Sequence, residues 1–365
     1  MRITRLGSVL MRSPPWVLVR VFTDAGLVGL GEAYHGAGVH RIAVDPRLTH
    51  ALLGRDPCDV ERLARDMSAA MSGSGFYQGA VMSAISGVEM ALWDLAGQAA
   101  GVPIWQLFGG RMRERVPLYA TGHNGVPDTP AAYARRAEEL QRLGMRALKL
   151  SVHPRAPGAE PPLHLVHAVH EVLDVHTWLA ADAHGCCDPS GALRLAERLA
   201  PLDLRWLEDP VPPENPQAMV EVTAASPVPI CTRENLYGVL GFRELLTRHA
   251  TDIASPDIAK TGGLAQGRRI ADLAASYGVP MAPHDIGSPV QAVAAGHLAC
   301  SLSNLLAMEQ HFPDLPLWHR LVDDHHLIAD GELVVPDRPG LGIRLDDAVV
   351  RRNLMEEHGF FPQAF

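Results

Sequence analysis

Beyond about residue 116 the chain alternates short apolar runs, each with a polar residue near its end, with longer amphipathic stretches. The runs are VPLYATGH, ALKLSVH, TWLAADAH, LRWLEDP, PICTREN, DIASPDIAK, VPMAPHD and NLLAMEQ. Between them lie stretches of helical period such as AAYARRAEELQRLG and GGLAQGRRIADLAASYG. Polar run ends recur roughly every 25 residues, the length of a strand, a helix and two short loops. Eight such units predict parallel strands joined by right-handed helical crossovers. The expected fold is α/β, a (β/α)8 barrel spanning 116–327, with the C-terminal ends of its strands gathered on one face.

Residues 1–115 have a different rhythm and read as α+β. Val17 to Phe22 alternate, Thr23-Asp24-Ala25-Gly26 turns, and Leu27 to Gly31 return, which predicts a hairpin. Residues 79–100 place Val81, Ile85, Val88, Leu92 and Leu95 on one helical stripe. After the last barrel run, residues 328–365 read as a strand, a Pro/Gly turn and a tail returning to the N-terminal part.

With 365 residues, 47% apolar and 20% charged, the chain suits one barrel and a smaller partner domain. A net charge of -9 without a basic block argues against nucleic acid and anionic membranes as partners. No run of about 18 apolar residues is present to span a bilayer, and the start lacks the apolar core of a secretion signal. The five cysteines form neither C-x-x-C nor zinc spacing, so free thiols in a reducing cytoplasm are expected. The 18 histidines make any single one weak evidence, and position must carry the argument.

Three consecutive run ends carry carboxylates: Asp182, Glu208 and Glu234. Neighbouring strands lie about 4.8 Å apart, so these groups meet at the barrel mouth, where they repel unless a cation sits among them. An all-oxygen set points to Mg2+ rather than Zn2+. Asp257 and His284 end the sixth and seventh runs, a pairing in which the carboxylate orients the imidazole and raises its basicity. Glu309 ends the eighth and completes the ring. The Thr261-Gly262-Gly263 stretch reads as a strand-to-helix turn rather than a phosphate cradle. A metal-dependent amidohydrolase would need His-x-His on the first strand, where only His123 is found. The full ring argues against a barrel retired to binding.

The stretches GLVGLGEA, VEMALWDLAG, ALKL, LAADAHG, WLEDPV, PDIAKTGGL, APHDIGSPV and PGLGI, in this order, resemble the mandelate racemase/muconate lactonizing branch of the enolase superfamily. The resemblance implies an N-terminal capping domain over the barrel mouth, completed by the C-terminal tail. It also implies self-association and a small-molecule carboxylate substrate. It implies Mg2+ on Asp182, Glu208 and Glu234, an Asp257–His284 base, and removal of a proton α to the carboxylate. A Lys or His base working with Mg2+ is the pattern of this superfamily.

Where many relatives have Lys-x-Lys, this chain reads Lys149-Leu150-Ser151. A hydroxyl without a base partner cannot take an α-proton, so two-base racemisation is not expected. Lys149 matches the lysine that stabilises enediolate charge, and His153 lies further toward solvent. Asp182-Ala183-His184 is similar to the Asp-x-His of galactonate-type dehydratases, with His184 as the acid on the same face as Asp182. The expected activity is a Mg2+-dependent sugar-acid dehydratase giving a 2-keto-3-deoxy acid; the alternative is a lactone cycloisomerase or one-base epimerase. Arg233, in a position where the family has Gly, His123, Tyr34 and Trp16 are candidate substrate contacts.

Overall fold

The computed structural model describes residues 1–365 except 73–77, 122, 124, 157–158, 213–214, 233, 325, 356–358 and 362–365. Strands β1 (Ile3–Leu10), β2 (Val17–Thr23) and β3 (Val28–Ala33) form an antiparallel meander. The β2–β3 register runs from Val17 opposite Ala33 to Phe22 opposite Val28, as the alternation predicts. The helix Gly79–Ala100 lies across this sheet and buries Val81, Ile85, Val88, Leu92 and Leu95. Contact is close because β3 alternates small residues: a Cβ on Gly31 would stand 2.0 Å from the Gly87 carbonyl oxygen. Any side chain there would separate the layers.

The barrel strands are β4 (Arg115–Ala120), β5 (Ala147–Ser151), β6 (Trp178–Asp182), β7 (Leu207–Glu208), β8 (Ile230–Thr232), β9 (Ile253–Ala254) and β10 (Met308–Gln310). All pair in parallel, each with the next through β9, and β10 closes on β4. The seventh run contributes only Met281, bridged to Ala254 and Leu305. Its Pro280 and Pro283 lack the backbone N–H a longer ladder needs. Strands β11 (Ile328–Ala329) and β12 (Glu332–Val334) form a hairpin that extends β4 antiparallel. The first part of the tail thus stays with the barrel sheet, and the chain reaches the N-terminal part only from about Gly340, which exchanges backbone bonds with Val102 and Ile104.

Buried carboxylates join the two parts. Glu89 accepts from Leu264 N (2.7 Å) and Ala265 N (2.9 Å) at the start of the helix Leu264–Ser276. Glu32 likewise accepts from Ser288 N and Gln291 N, each at 3.0 Å, at the start of the helix Pro289–Ala299. Each satisfies helix-terminal donors and complements the dipole. The Gly262–Gly263 turn is therefore filled from within the protein, which leaves no phosphate cradle there. Among the described residues no helix is long and apolar enough to cross a membrane.

His297 sets a pH limit on this assembly. Its buried ring accepts the Trp105 N–H at Nδ1 (3.3 Å) and donates from Nε2 to the Leu341 carbonyl (3.0 Å). Burial lowers its pKa from 6.5 to about 4. The folded value lies below the unfolded one, so this contribution is complete above about pH 6.5 and lost as pH falls toward about 4, by at most about 1.4 kcal/mol per pH unit. The urea midpoint of the wild type should therefore fall more steeply over that window than that of His297→Gln. Parallel curves would remove His297 from the acid sensitivity.

Candidate active site

The ends of the barrel strands surround a polar cavity of about 270 Å³, lined among others by Lys149, Ser151, Asp182, His184, Glu234, His284 and Glu309. Tyr34, from the loop after β3, faces it from the N-terminal part.

Lys149 points inward from β5 and is 2% exposed. Its Nζ lies 2.8 Å from Glu208 Oε1, 3.4 Å from Glu309 Oε1 and 3.5 Å from Asp182 Oδ2. Parallel register sets Asp182 beside Glu208. Burial raises Asp182 to about 7, Lys149 opposing and Glu234 and Asp209 adding to the shift. Glu208 also rises to about 7, through burial against Lys149, with Asp182 and Glu309 contributing. Glu309 is held by Tyr119 OH (3.3 Å) and the Thr121 hydroxyl.

On the other side, His284 Nδ1 donates to Asp257 Oδ2 at 2.8 Å, and Nε2 stands 2.7 Å from Glu234 Oε2. Asp257 is fully buried and fixed by the Ala259 N–H (2.7 Å) and Gln291 Nε2 (3.0 Å). Burial disfavours the His284 cation, but Glu234, Glu309 and Asp257 outweigh it and hold the imidazole well above its ordinary value. Glu234 also meets Lys260 Nζ at 3.4 Å, and that ammonium lies 4.0 Å from the Tyr34 ring centroid.

Asp182 and Glu208 thus converge on Lys149, whereas Glu234 faces His284 and Lys260. Among the described residues no three His, Cys, Asp or Glu side chains stand together as a metal cluster. The donor set nevertheless fits a hard divalent cation. All three are carboxylates, two of them ending β6 and β7 and Glu234 two residues beyond β8, and Asp182 is raised by both burial and Glu234, a mutual repulsion that a cation relieves.

His184 reaches the cavity by a different route from the one alternation predicts. β6 stops at Asp182, and His184 has φ +48° in a turn completed by Gly185 at φ +69°. The half-exposed ring has Nδ1 3.4 Å from Asp182 Oδ1. His153 is exposed, 6.2 Å from the His184 ring centroid. Ser151 Oγ accepts a long bond from the His153 N–H, at 3.4 Å.

Of the expected contacts, His123 lines the cavity, buried against Tyr133 with ring centroids 5.0 Å apart. Trp16 is buried, its indole N–H donating to the carbonyl of Ile286 (3.3 Å), which lines the cavity. Arg233 lies outside the described residues. Sequence reading missed Lys260, His311, Thr121 and Arg155. His311 and Thr121 stand two residues from Glu309 and His123, a usable signal, and Lys260 stands three beyond Asp257; Arg155 comes from an irregular loop with none. Arg155 is paired with Asp128 (3.0 and 3.1 Å) and Tyr133 OH (2.9 Å).

Comparison with known proteins agrees with this architecture. Residues 5–109 match the mandelate racemase/muconate lactonizing enzyme N-terminal domain, and 132–349 the enolase C-terminal domain-like family. The chain is 39% identical to a D-xylonate dehydratase of Haloferax volcanii, over 96% of this chain and 88% of that one. It is 32% identical to a D-galactarolactone cycloisomerase of Agrobacterium fabrum, covering 90% and 89%. A solved mandelate racemase/muconate lactonizing enzyme-like protein from Rubrobacter xylanophilus superposes with TM-score 0.92 at 38% identity, covering 99% of both chains. The barrel, its buried ring and these matches together make the chain a member of the mandelate racemase/muconate lactonizing enzyme family of the enolase superfamily.

Proposed function

We propose that the protein is a sugar-acid dehydratase that removes the C2 proton of an aldonate, expels the C3 hydroxyl and yields a 2-keto-3-deoxy acid. The observation that carries this reading is one cavity holding His284, oriented by Asp257, together with His184, while Ser151 stands where a second base would be. One base and one acid suit elimination.

In this reading Asp182, Glu208 and Glu234 hold Mg2+. When bound, the ion supplies positive charge for the carboxylate ligands and for the enediolate that develops on the substrate. Lys149 adds a second, buried cation facing the same charge. Glu234 and Asp257, on either side of the ring, favour its charged form against burial, and His284 acts as a base when Glu234 is engaged elsewhere. The neutral imidazole then takes the C2 proton at Nε2, with Nδ1–H kept on Asp257. The electron pair passes through the enediolate, the C3–O bond breaks, and His184 gives its proton to the departing hydroxyl. The enol becomes the keto acid. Residues 1–115, with the returning tail, act as the cap that places Tyr34 over the substrate.

The cavity favours a monoacid. Lys149 and Arg155, which line it, are each already paired with a carboxylate, as is His284. Burial holds His123 at about 4, assisted by Arg136, and His311 likewise at about 4, so both are neutral at pH 7. With Thr121 and Tyr133 they offer uncharged hydrogen-bonding groups, suited to a polyhydroxyl tail. Because of the D-xylonate dehydratase relative, a pentonate is the first substrate to try. Proton NMR in D2O with Mg2+ across aldonates and aldarates should show a 2-keto-3-deoxy product from an aldonate, lost with EDTA and restored by Mg2+. Faster turnover of diacids would overturn the monoacid reading. Exchange at C2 without a keto acid would move the assignment to cycloisomerase or epimerase.

A further inference from the structure

Cys186 and Cys187 take no part in the reaction above, yet their sulfurs are 3.5 Å apart and both side chains are half-buried. They occupy the turn that presents His184. The Ala183 carbonyl accepts the Cys186 N–H at 3.1 Å, while the Gly185 and Cys187 N–H groups donate to Asp209 O (2.6 Å) and Pro210 O (3.2 Å). The peptide joining the two cysteines is therefore part of the bonding that fixes the turn. Cys58, Cys231 and Cys300 lie on other elements, the first exposed and the other two buried.

We propose that Cys186 and Cys187 form a modification site, a vicinal dithiol that closes to a disulfide by exchange with a low-molecular-weight disulfide and in closing displaces His184 from the reacting substrate. The effect on turnover rests on the assignment of His184 as the acid; the closure itself does not.

Chemically, the Cys186 thiolate attacks one sulfur of the small disulfide and expels a small thiolate. The Cys187 thiolate then attacks the Cys186 sulfur of the mixed disulfide and expels the second. The protein thiols are oxidised, the external disulfide is reduced to two thiols, and the two protons end on the departing thiolates. The hydrogen bond with Cys187 holds the Cys186 thiol below its ordinary pKa, which suits it to the first attack. Closure must bring the sulfurs to about 2.0 Å. Sequence neighbours have Cα atoms about 3.8 Å apart across a trans peptide, short of the roughly 4.4–6.8 Å that disulfides usually span. The ring therefore twists the joining peptide, loads the Cys187–Pro210 bond and is readily reversed by reduction.

The full-length Mg2+-loaded protein is equilibrated with oxidised and reduced glutathione, and the peptide carrying both cysteines is weighed. C2–H exchange and dehydration are followed with xylonate. The expected result is loss of two hydrogens from that peptide and a fall in dehydration of about tenfold or more, with exchange retained and dithiothreitol restoring turnover. The double variant Cys186→Ala/Cys187→Ala should keep its turnover in the same oxidising buffer. Absence of the intramolecular disulfide, closure without loss of dehydration, or equal loss in the double variant each overturns the proposal. Full dehydration by reduced His184→Asn, read without any oxidant, is instead a failure of the acid assignment.

Discussion

His284→Asn should lose C2–H exchange and keto-acid formation together, each by about 10²–10⁴-fold, the range over which a positioned general base acts. The joint loss is the informative feature, because exchange needs only proton removal whereas product also needs the hydroxyl to leave. Asparagine keeps a hydrogen-bonding group near Asp257 but has no group that takes a proton. The ring it replaces sits between Asp257 at 2.8 Å and Glu234 at 2.7 Å, so the variant also removes the partner that holds Glu234 well below the ordinary carboxylate value against the effect of burial. Exchange in D2O and coupled keto-acid detection check the result. Wild-type rates in both assays would remove His284 from the role of base.

His184→Asn should separate the same two readouts. With His284 and Asp257 intact, C2–H exchange should persist near the wild-type rate. Dehydration should fall by about 10²-fold, the lower end expected for loss of a general acid. The predicted asymmetry follows from geometry: His184 stands on the β6 side of the cavity, 3.4 Å from Asp182, while the Asp257–His284 pair is built from the loops after β9 and Met281. The partition between exchange and product, measured on one sample by NMR, makes the test insensitive to the fraction of folded enzyme. Unchanged partition would remove the acid role; loss of exchange as well would show that His184 supports substrate binding or the base.

Much of the fold is legible in the sequence because it depends on local rules. Alternation and a Gly-containing turn place the β2–β3 hairpin, and a helical stripe places Gly79–Ala100 against it. Repetition of apolar run and amphipathic stretch gives the parallel order, and the polar residues in or near the run ends include Lys149, Asp182, Glu208, Glu234, Asp257, His284 and Glu309. What local rules do not contain is which of these side chains touch. Lys149 draws Asp182, Glu208 and Glu309 to one ammonium, and Glu234 turns to His284 and Lys260, because burial forces each charge onto the nearest opposite one, whichever strand carries it. His184 departs from the period-two rule where the strand ends and a left-handed turn takes over. The chain by itself determined the order of elements and the chemistry available at their ends, since periodicity and residue type are properties of neighbours along the backbone. Only the tertiary structure decided the partners, the cavity and the cysteine pair behind His184, because distances between charges and sulfurs are set by barrel closure and turn geometry.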